Sequence, residues 1–467
     1  MNRVIDTKTI TIVGAGLAGS LLAVLLSQRG FKVELFERNP DQRKQKAPAG
    51  RSINLALAER GRFALQQAGI LHTVDRFTLP MRGRMLHEIG KPPVLQPYGI
   101  GENEVIWSTH RARLNSTLLD AAEATGNTRI HFGHKLHDID WPHKQAIFET
   151  TAKDSIAEHK FEVIIGADGG GSALREAMKR IEDLGDSKQA LNHGYRELTI
   201  PVDANGDFAL DPGALHIWPR GGFMLIALPN SDRSFTATLF MRLDEGGNEE
   251  VGGWPGLNQL NDWQQQRRFM QQEFPQAFPL MPQLERDFKE NPIGLLATVR
   301  CKQWHARQCA LLLGDAAHAV VPFHGQGMNA AFEDCVALLE CLDDPKETWL
   351  SVFERFQNMR LDNSNAIADM ALENYAIMRE SVRDPAFMVR KALEHELERR
   401  HPGQFIGRYS MVMFQRIPYA LAYRRGDIQA GLLDRLLTDC SAIDEVDFEE
   451  AARFIDERLP VIDGYNS

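Results

Sequence analysis

Three acidic residues, Glu37, Asp168 and Asp315, each follow a short apolar segment that is predicted to be a strand. A carboxylate at the end of a buried strand can accept hydrogen bonds from the hydroxyl groups of a ribose or another polyol. Beyond Asp315, residues Gly327–Asn329 open a helix-like stretch, and the first backbone N–H groups of a helix lack partners inside it. Such a helix start favours an electron-rich ligand group. These residue types therefore predict a site for a nucleotide-like ligand.

The first acidic residue belongs to a strand–turn–helix–strand pattern in Thr9–Arg38. A buried strand is predicted to turn into GAGLAG, and a helix follows through Gln28. Glycines there permit a tight turn, the approach of the backbone to a pyrophosphate, and close packing of helix on strand. Glu37 stands about twenty residues further on, where an acidic side chain accepts from ribose hydroxyls and disfavours a 2′-phosphate. The pattern predicts FAD or NAD, bound by Gly14, Ala15, Gly16, Leu17, Gly19, Glu37 and Arg38.

The other two acidic residues lie in strand–turn–helix segments later in the chain. Val163–Ile165 is a predicted strand before Asp168-Gly169, and Ser172 is the predicted N-cap of the helix that carries Arg175. Leu311–Asn329 is predicted to be a strand, a Pro/Gly-rich loop and a helix. The order GxGxxG, then DG, then GD resembles the single-component flavoprotein aromatic hydroxylases. The resemblance implies that the DG segment lies near the FAD pyrophosphate, and that the GD segment holds the ribityl chain beside the flavin pyrimidine edge.

We therefore expect an α/β fold with a Rossmann-like FAD-binding domain that comprises residues 1–75, 104–180 and 296–340. Between the second and third motifs, turn signals separate four apolar segments that are predicted to be strands. These are Glu197–Val202, Ala214–Trp218, Phe223–Leu228 and Phe235–Leu243. They indicate an inserted β-sheet substrate domain over 76–103 and 181–295. Residues 341–467 are predicted to form a helical C-terminal region.

Composition narrows the class of protein. The chain has 467 residues and a formal net charge of −10, which argues against a nucleic-acid partner. Its five cysteines form no CxxC pair, so we expect a reducing, cytoplasmic compartment and no metal site. No signal peptide and no long apolar run is visible, so we expect no membrane association. A second GxGxxG after a strand is missing, which indicates that a nicotinamide reductant visits transiently.

The segment Gly50–Gly61, GRSINLALAERG, is similar to the kynurenine 3-monooxygenase family. In this segment we interpret Arg60 as a solvated residue. Eukaryotic members of the family carry a C-terminal membrane anchor, whereas this chain ends in PVIDGYNS, so we expect a soluble enzyme. The resemblance covers nearly the whole chain to about residue 425. Further matches are Met81–Arg84, Gln96–Gly99, Arg111–Asn115, His216–Asn230, Pro322–Asp334, Glu373–Tyr375 and Tyr409–Met411.

The resemblance implies a binding site for L-kynurenine. Arg84 would grip the amino-acid carboxylate, with hydrogen bonds from Tyr98 and Tyr409, and Asn374 would serve the amino or carbonyl group. An apolar wall around the aniline ring would come from Phe240, Phe323 and Met378, for which core packing is a near-equal alternative. The remaining FAD-binding residues that the family implies are Ala56, Arg111, Leu136, Asp168, Asp315, Gly327, Met328 and Asn329.

The implied activity is hydroxylation of L-kynurenine to 3-hydroxykynurenine, with NADPH and O2, through a C4a-hydroperoxyflavin. The aniline nitrogen already activates the ring, so we assign no catalytic residue and favour a structural or flavin-neighbour role for His318 and His324. Two alternatives stay open: a hydroxylase of another anionic aromatic, such as an anthranilate- or salicylate-like acid, and a flavin-binding redox sensor without turnover. A homodimer and the choice between NADPH and NADH also stay open.

Overall fold

The computed structural model of the protein describes residues 8–44, 54–101, 103–151, 155–244, 253–343, 347–380, 385–438 and 442–462. The first part of the RSINLAL motif, residues 51–53, lies outside the described residues. The strands are β1 (Thr9–Val13), β2 (Lys32–Glu37), β3 (Asn54–Leu57), β4 (Leu79–Met81), β5 (Gly83–Leu86), β6 (Val94–Pro97), β7 (Ile106–His110), β8 (Thr128–Phe132), β9 (His134–Asp140), β10 (Gln145–Thr150), β11 (Ser155–Lys160), β12 (Val163–Gly166), β13 (Ser187–Ile200), β14 (Ala214–Pro219), β15 (Met224–Pro229), β16 (Phe235–Arg242), β17 (Gly294–Arg300), β18 (His305–Ala306) and β19 (Ala310–Leu312).

The helices follow the same chain order, and short 3₁₀ turns lie between some of them. They are α1 (Leu17–Gln28), α2 (Glu59–Gln67), α3 (Leu71–Asp75), α4 (Arg111–Ala124), α5 (Ala173–Lys179), α6 (Trp263–Glu273), α7 (Leu284–Glu290), α8 (Asp315–His318), α9 (Gly327–Cys341), α10 (Trp349–Glu380), α11 (Pro385–Arg400), α12 (Arg408–Met413), α13 (Tyr419–Leu436) and α14 (Phe448–Arg458).

The chain folds into two compact units, each made of three stretches of sequence. The first unit comprises Met1–Thr78, Thr109–Ala190 and Ala297–Ala368. The second unit comprises Leu79–Ser108, Leu191–Leu296 and Asp369–Ser467. The FAD-binding, substrate and C-terminal regions predicted from the sequence stay a prediction. The two units are defined by contacts within the chain, whereas the predicted regions are defined by function, and the two divisions need not coincide.

A mainly parallel sheet forms the centre of the first unit, with the strand order β18-β19-β12-β1-β2-β8. β1 pairs in parallel with β12 on one side and with β2 on the other. Its central residues, such as Ile10 and Ile12, are fully buried, which suits a strand covered by helices on both faces. In such a sheet the carboxyl ends of the strands share one edge, where ligands bind. The predicted α/β, Rossmann-like fold is confirmed.

The first unit also holds an antiparallel sheet that the sequence did not reveal, with the order β11-β10-β9. Histidine and charged residues occupy many of its positions, and much of β11 is exposed. Only scattered positions such as Ala146 and Phe148 are fully buried. A half-solvated sheet of this kind gives a weak apolar pattern, and therefore no strong strand signal.

In the second unit, β13, β16, β15, β14, β5 and β6 are neighbours in that order. The strands predicted at 197–202, 214–218, 223–228 and 235–243 are present as β13, β14, β15 and β16. β13 begins at Ser187, ten residues before the start predicted from the sequence. The prediction misses these first residues because they are mostly polar and exposed and so lack an apolar strand pattern. One face of the sheet packs on a fully buried apolar cluster that includes Trp218, Phe235 and, from α6, Phe269.

The predicted helical C-terminal region is also present. In the second unit, α11, α13 and α14 pack around a buried apolar cluster that includes Leu393, Leu432 and Ile455. Among the described residues, none of the helices is both long enough and apolar enough to span a bilayer.

Candidate functional site

The three glycine motifs of the sequence converge in the first unit. A Cβ built on Gly14 would lie 2.5 Å from the carbonyl oxygen of Ala167, just before the DG turn. A Cβ built on Gly314, at the GD turn, would lie 3.7 Å from the Cβ of Ala18 in α1. Gly14 has a φ of +98° and Gly314 a φ of +61°, so both turns need a residue without a side chain. The carboxyl ends of β1, β12 and β19 therefore meet at one place.

Two glycines of the first motif differ in what surrounds them. A Cβ on Gly19 would lie 1.9 Å from the Gly14 carbonyl oxygen, so this glycine is required for helix–strand packing. A Cβ on Gly16 would meet no protein atom within 4 Å, and its φ of −71° suits any residue. The space in front of Gly16, at the start of α1, is open and can admit a phosphate group to the backbone.

Glu37 lies at the end of β2, directly beside this turn. Its Oε2 accepts a hydrogen bond from the Ala15 N–H at 2.9 Å, and its Oε1 accepts from the backbone N–H of Asn39, also at 2.9 Å. The Asn39 side-chain amide also donates to Oε1, at 2.7 Å. The carboxylate therefore holds the turn, and Oε2 retains a lone pair for a further donor. Leu17 is buried in α1, and Arg38 is exposed.

The DG turn is organised by Asp168, whose Oδ2 accepts from the backbone N–H groups of Ala173 and Leu174 at the start of α5. Burial raises the pKa of Asp168, and these hydrogen bonds act in the opposite direction. Ser172 caps the same helix by accepting from the Arg175 N–H at 3.0 Å, as the sequence predicted.

Arg175 has a role that the sequence analysis missed. Its guanidinium is buried, and it donates to the carbonyl oxygen of Gly170 at 2.7 Å and to that of Ala316 at 2.8 Å. Arg175 thus fastens the DG turn to the first residues of α8. Nothing in the local sequence predicts this contact, since Ala316 lies 141 positions further along the chain.

Asp315 opens α8, a short helix at a position predicted to be loop, and lies close to the start of α9. A Cβ on Gly327 would lie 4.0 Å from Asp315 Oδ1. The side chain of Asp315 is accessible to solvent, although the surrounding protein raises its pKa. The positive charges of His318 and of Arg111, the first residue of α4, act in the opposite direction.

The start of α9 is at Gly327, as predicted. Its N-cap, Gln326, makes no side-chain cap hydrogen bond, which leaves the first-turn N–H groups of Gly327 and Met328 without a cap. The side-chain amide of Asn329 bonds to backbone groups. It accepts from the Ala58 N–H and donates to the Ala56 carbonyl oxygen, both at 2.9 Å. This side chain joins α9 to β3.

A buried ion network supports these turns from behind; we define it as Arg60, His318, Glu333, Asp334 and Arg360. Asp334 is completely buried and accepts from Arg360 Nε at 2.7 Å and from the Gly314 N–H at 3.1 Å, and its Oδ2 lies 2.6 Å from His318 Nε2. Burial alone would raise the pKa of Asp334, but His318 and Arg360 hold it at about 2. His318 also packs on the ring of Trp304, with 4.9 Å between ring centroids.

The interpretation of Arg60 as a solvated residue is wrong. Its side chain is buried, and Nη1 lies 2.6 Å from Glu333 Oε1, while Arg360 Nη1 lies 2.7 Å from the other oxygen of the same carboxylate. Glu333 and Arg360 come from α9 and α10, distant in sequence from Arg60. Burial opposes the ionised form of Glu333, but the two arginines lower its pKa.

In the second unit, the structure brings together Arg84, Tyr98 and Tyr409, which we call the arginine cradle. The guanidinium of Arg84 lies 5.0 Å from the ring centroid of Tyr409 and 5.7 Å from that of Tyr98. The two rings are stacked, with centroids 5.5 Å apart. Arg84 Nε is buried without a hydrogen-bond partner, and among the described residues no carboxylate pairs with this side chain.

β5, β6 and α12 position the cradle. Arg84 pairs with Gln96 across β5 and β6, and Tyr98 follows directly after β6. Gly83 allows the strands to approach, since a Cβ there would lie 2.3 Å from the Gln96 carbonyl oxygen. Burial raises the pKa of both Tyr98 and Tyr409, so both phenols stay protonated and can donate hydrogen bonds.

The other predicted substrate residues are all buried. Asn374 in α10 donates to the sulfur of Met378, one helical turn further on, at 3.3 Å. The ring centroid of Phe240, in β16, lies 5.9 Å from that of Tyr195. Asn374, Met378 and Phe240 belong to the second unit, whereas Phe323 belongs to the first. In the first unit, Leu136 is buried in β9 and His324 in the 3₁₀ turn Pro322–His324.

The donor set of the first unit fits FAD. An open glycine turn with Gly16 and Glu37 suits the pyrophosphate and ribose of a dinucleotide, and Asp315 suits the ribityl chain. The uncapped start of α9 suits the electron-rich edge of a flavin pyrimidine ring. Protein atoms occupy the position that a side chain would take at Gly19, whereas at Gly16 that position is open.

Comparison with known proteins agrees with this fit. The FAD binding domain family matches residues 6–244 and 264–346. Solved structures of flavoprotein oxygenases share the fold. The tetrameric form of 2-methyl-3-hydroxypyridine-5-carboxylic acid oxygenase has a TM-score of 0.63 at 18% identity, over 82% of this chain and 96% of that one. Pseudomonas aeruginosa PqsL, in complex with 2-aminobenzoylacetate, also has a TM-score of 0.63 at 18% identity, over 81% and 99% of the two chains. The chain is thus an FAD-binding protein of the flavoprotein monooxygenase fold.

Curated relatives define the family more closely. The kynurenine 3-monooxygenase of Stenotrophomonas maltophilia strain K279a is 46% identical over 458 residues, which is 98% of this chain and 98% of the relative. That of Xanthomonas axonopodis pv. citri strain 306 is 45% identical over 98% and 99% of the two chains. The chain belongs to the kynurenine 3-monooxygenase family, and the family and the FAD cofactor expected from the sequence are confirmed.

Proposed function

We propose that the protein hydroxylates L-kynurenine on its aromatic ring, at the carbon ortho to the aniline nitrogen, to give 3-hydroxykynurenine. Kynurenine, NADPH, O2 and a proton yield hydroxykynurenine, NADP⁺ and water. One oxygen atom of O2 enters the ring, the other leaves as water, and NADPH supplies the two electrons. The observation that carries this proposal is Arg84, a buried cation beside two stacked tyrosine rings, without a carboxylate partner among the described residues.

Arg84 binds the α-carboxylate of kynurenine in this account. A guanidinium presents two parallel N–H groups that match the two oxygens of a carboxylate. A buried cation without a counter-ion is unfavourable, so an anionic ligand supplies what the protein lacks at this point. The phenols of Tyr98 and Tyr409 flank the same position and donate to the same carboxylate.

The remaining predicted residues orient the aromatic end of the substrate. Asn374 can donate to the keto or aniline group, and Phe240 and Met378 exclude water from the ring. The aniline nitrogen donates electron density to the ortho carbon, so no strong base is required from the protein. Holding the ring in one orientation is the main task of these side chains, since correct placement alone lowers the barrier greatly.

FAD supplies the redox chemistry that activates O2 when it is bound. The first unit contributes the groups that hold it: the backbone at Gly16 for the pyrophosphate, Glu37 for the adenosine ribose and Asp315 for the ribityl chain. The N–H groups of Gly327 and Met328 stabilise negative charge at the pyrimidine edge. His318 is hydrogen-bonded to Asp334 and packs against the ring of Trp304, which supports a structural role for it.

The direct test uses the purified, FAD-loaded protein with NADPH, L-kynurenine and ¹⁸O2, and mass spectrometry of the product. We expect kynurenine-dependent NADPH oxidation and a product that has gained one ¹⁸O atom. The same assay with anthranilate and salicylate provides the comparison with other anionic aromatics.

Two results would overturn the proposal. Labelled product from anthranilate or salicylate, with none from kynurenine, would identify a different aromatic hydroxylase. A flavin-loaded protein that oxidises no NADPH with any of the three acids would favour a redox sensor instead.

A further inference from the structure

An ion pair joins two helices of the second unit that carry predicted substrate residues. Nη2 of Arg408, the first residue of α12, lies 2.8 Å from Oε2 of Glu373 in α10. Asn374 directly follows Glu373, and consecutive residues of a helix point about 100° apart. Tyr409, of the arginine cradle, directly follows Arg408. The pair therefore links the helix of Asn374 to the helix of Tyr409 without using either substrate residue.

The two helices differ in length. α10 has 32 residues, whereas α12 has six. A helix of fewer than two turns is not stable alone, so contacts with its surroundings hold it in place. Ser410, Met411, Val412 and Met413 are buried and attach the far part of α12. At the near end, Glu398 accepts from the Gly407 N–H at 3.2 Å, and the Arg408 side chain reaches α10.

The Arg408 side chain lies against Gly426, a residue in the interior of α13. A Cβ built on Gly426 would lie 2.3 Å from Arg408 Cδ and 3.0 Å from its Cγ. Glycine inside a helix is unfavourable relative to alanine, and here it leaves the space through which the arginine passes. Arg408 Cζ also lies 6.0 Å from the ring centroid of Tyr423 in α13. The path of the arginine is thus fixed along its length.

Glu373 is held at both of its oxygens. While Oε2 pairs with Arg408, Oε1 accepts from the Tyr423 hydroxyl at 3.1 Å. The side chains of Glu373 and Arg408 are 37% and 27% exposed, so the pair adds little to the free energy of unfolding. Asp427 is a second carboxylate near Arg408, but it is 61% exposed and 3.8 Å from Nη1.

We propose that Glu373 is a positioning residue for kynurenine: through Arg408 it sets the rotation of the first turn of α12, so that the Tyr409 phenol reaches the substrate carboxylate. This inference rests on the proposed function of the cradle. Loss of the pair lets that turn rotate, and the hydrogen bond from Tyr409 to the substrate is lost. Other side chains orient the aromatic end, so the change appears in KM and leaves kcat unaltered.

The test is a double-mutant cycle between Glu373→Gln and Tyr409→Phe, with KM for kynurenine and kcat measured on the FAD-loaded proteins. Glutamine keeps an acceptor for the Tyr423 hydroxyl and removes the charge that holds Arg408. Each single variant is expected to raise KM about fivefold, since each loses the same hydrogen bond to the substrate. The double variant should also stay near fivefold, because the bond can be lost only once. In all three, kcat should change by less than about twofold.

Asp427→Asn is the matched control. It removes the other carboxylate near Arg408, but Asp427 lies on α13, and the predicted substrate residues lie on other elements. Its KM should equal that of the wild type. Tyr423→Phe leaves the ion pair in place and should also keep the wild-type KM. Thermal unfolding of every variant shows whether the fold is retained.

A KM that rises about 25-fold in the double variant overturns the proposal, since Glu373 and Tyr409 then act independently. An unchanged KM in Glu373→Gln, or an equal rise in Asp427→Asn, overturns it too. If Glu373→Gln does not fold, Arg408→Gln takes its place in the cycle with the same expected values. Absence of kynurenine-dependent turnover in the wild type would instead overturn the proposed function, so the two failures are distinguishable.

Discussion

The buried arginines of the ion network in the first unit and Arg84 in the second unit differ in how their charge is compensated. In the first unit, Arg60 and Arg360 are paired with acidic residues, and Arg175 donates to two carbonyl oxygens. In the second unit, Arg84 lies beside the rings of Tyr98 and Tyr409, and no carboxylate pairs with it among the described residues. A buried charge is stable only when it is compensated. The charges of Arg60 and Arg360 are compensated by carboxylates of the protein, whereas that of Arg84 is compensated by an anionic ligand in this account.

The same contrast extends to how each unit binds. The first unit offers FAD mostly backbone: a glycine turn, helix starts and carboxylates that already hold those turns. The second unit offers kynurenine side chains that come from separate segments of the sequence. A change in the buried ion network of the first unit should therefore alter folding and flavin content together, and a change at Arg84 should alter substrate binding alone.

The largest effect is expected for Asp334→Ala. This change leaves Arg360, His318 and the Gly314 N–H without their shared acceptor, and breaking a buried ion pair typically costs about 3–5 kcal/mol. The free energy of unfolding should fall by that amount, and flavin content should fall with it, measured by denaturation and by absorbance of the purified protein. Asp343→Ala is the control, since Asp343 pairs with Arg29 at the surface. Equal stability of the two variants would contradict the role of the network.

The second largest effect is expected for Arg84→Ala. The loss of a buried charged pair costs about 2–5 kcal/mol, so KM for kynurenine should rise by about 100-fold or more, with flavin content unchanged. Arg82→Ala, at an exposed position two residues before, is the control and should retain the wild-type KM. Loss of flavin in Arg84→Ala would mean that the cradle has been assigned to the wrong ligand.

Gly16→Ala and Gly19→Ala form a matched pair in the first unit. At Gly16 no protein atom opposes a methyl group, so apo-protein stability should change by less than about 0.5 kcal/mol. FAD should nevertheless bind about tenfold more weakly, because the methyl group occupies the path of the pyrophosphate. At Gly19 the methyl group would overlap the Gly14 carbonyl, so the protein itself should be destabilised. Titration of apo-protein with FAD, beside thermal unfolding, separates the two effects. Unchanged FAD affinity in Gly16→Ala would contradict the assignment.

The smallest effect is expected for Tyr409→Phe, which removes one hydrogen-bond donor and keeps the ring. One hydrogen bond is worth about 1 kcal/mol, so KM for kynurenine should rise about fivefold. Tyr423→Phe is the comparison, since the Tyr423 hydroxyl donates to Glu373 at 3.1 Å. If both variants shift KM equally, the Tyr409 hydroxyl has no specific part in substrate binding.

Much of the first unit could be predicted from sequence because its signals are local. The end of α1 at Gln28, the end of β2 at Glu37 and the start of α9 at Gly327 follow from glycine positions and apolar patterns within a few residues. The sheet β9–β11 could not, since its polar, half-exposed strands lack that pattern. β13 was predicted too short for the same reason.

Contacts between distant segments were not predictable. Arg60 and Glu333 are 273 positions apart, so nothing near Arg60 indicates that its charge is compensated and buried. For the cradle, residue types alone did not single out Arg84, Tyr98 and Tyr409, and family resemblance named them. The structure places these three together, and their roles toward kynurenine stay predictions.

The central claim is that Arg84 binds the carboxylate of the substrate, and a binding cycle tests it most directly. The dissociation constants of kynurenine and of its decarboxylated analogue, kynuramine, are measured by titration of the flavin absorbance in the wild type and in Arg84→Ala. The account predicts that the wild type prefers kynurenine by about 100-fold and that Arg84→Ala binds the two ligands about equally. An undiminished preference for kynurenine in Arg84→Ala would contradict it.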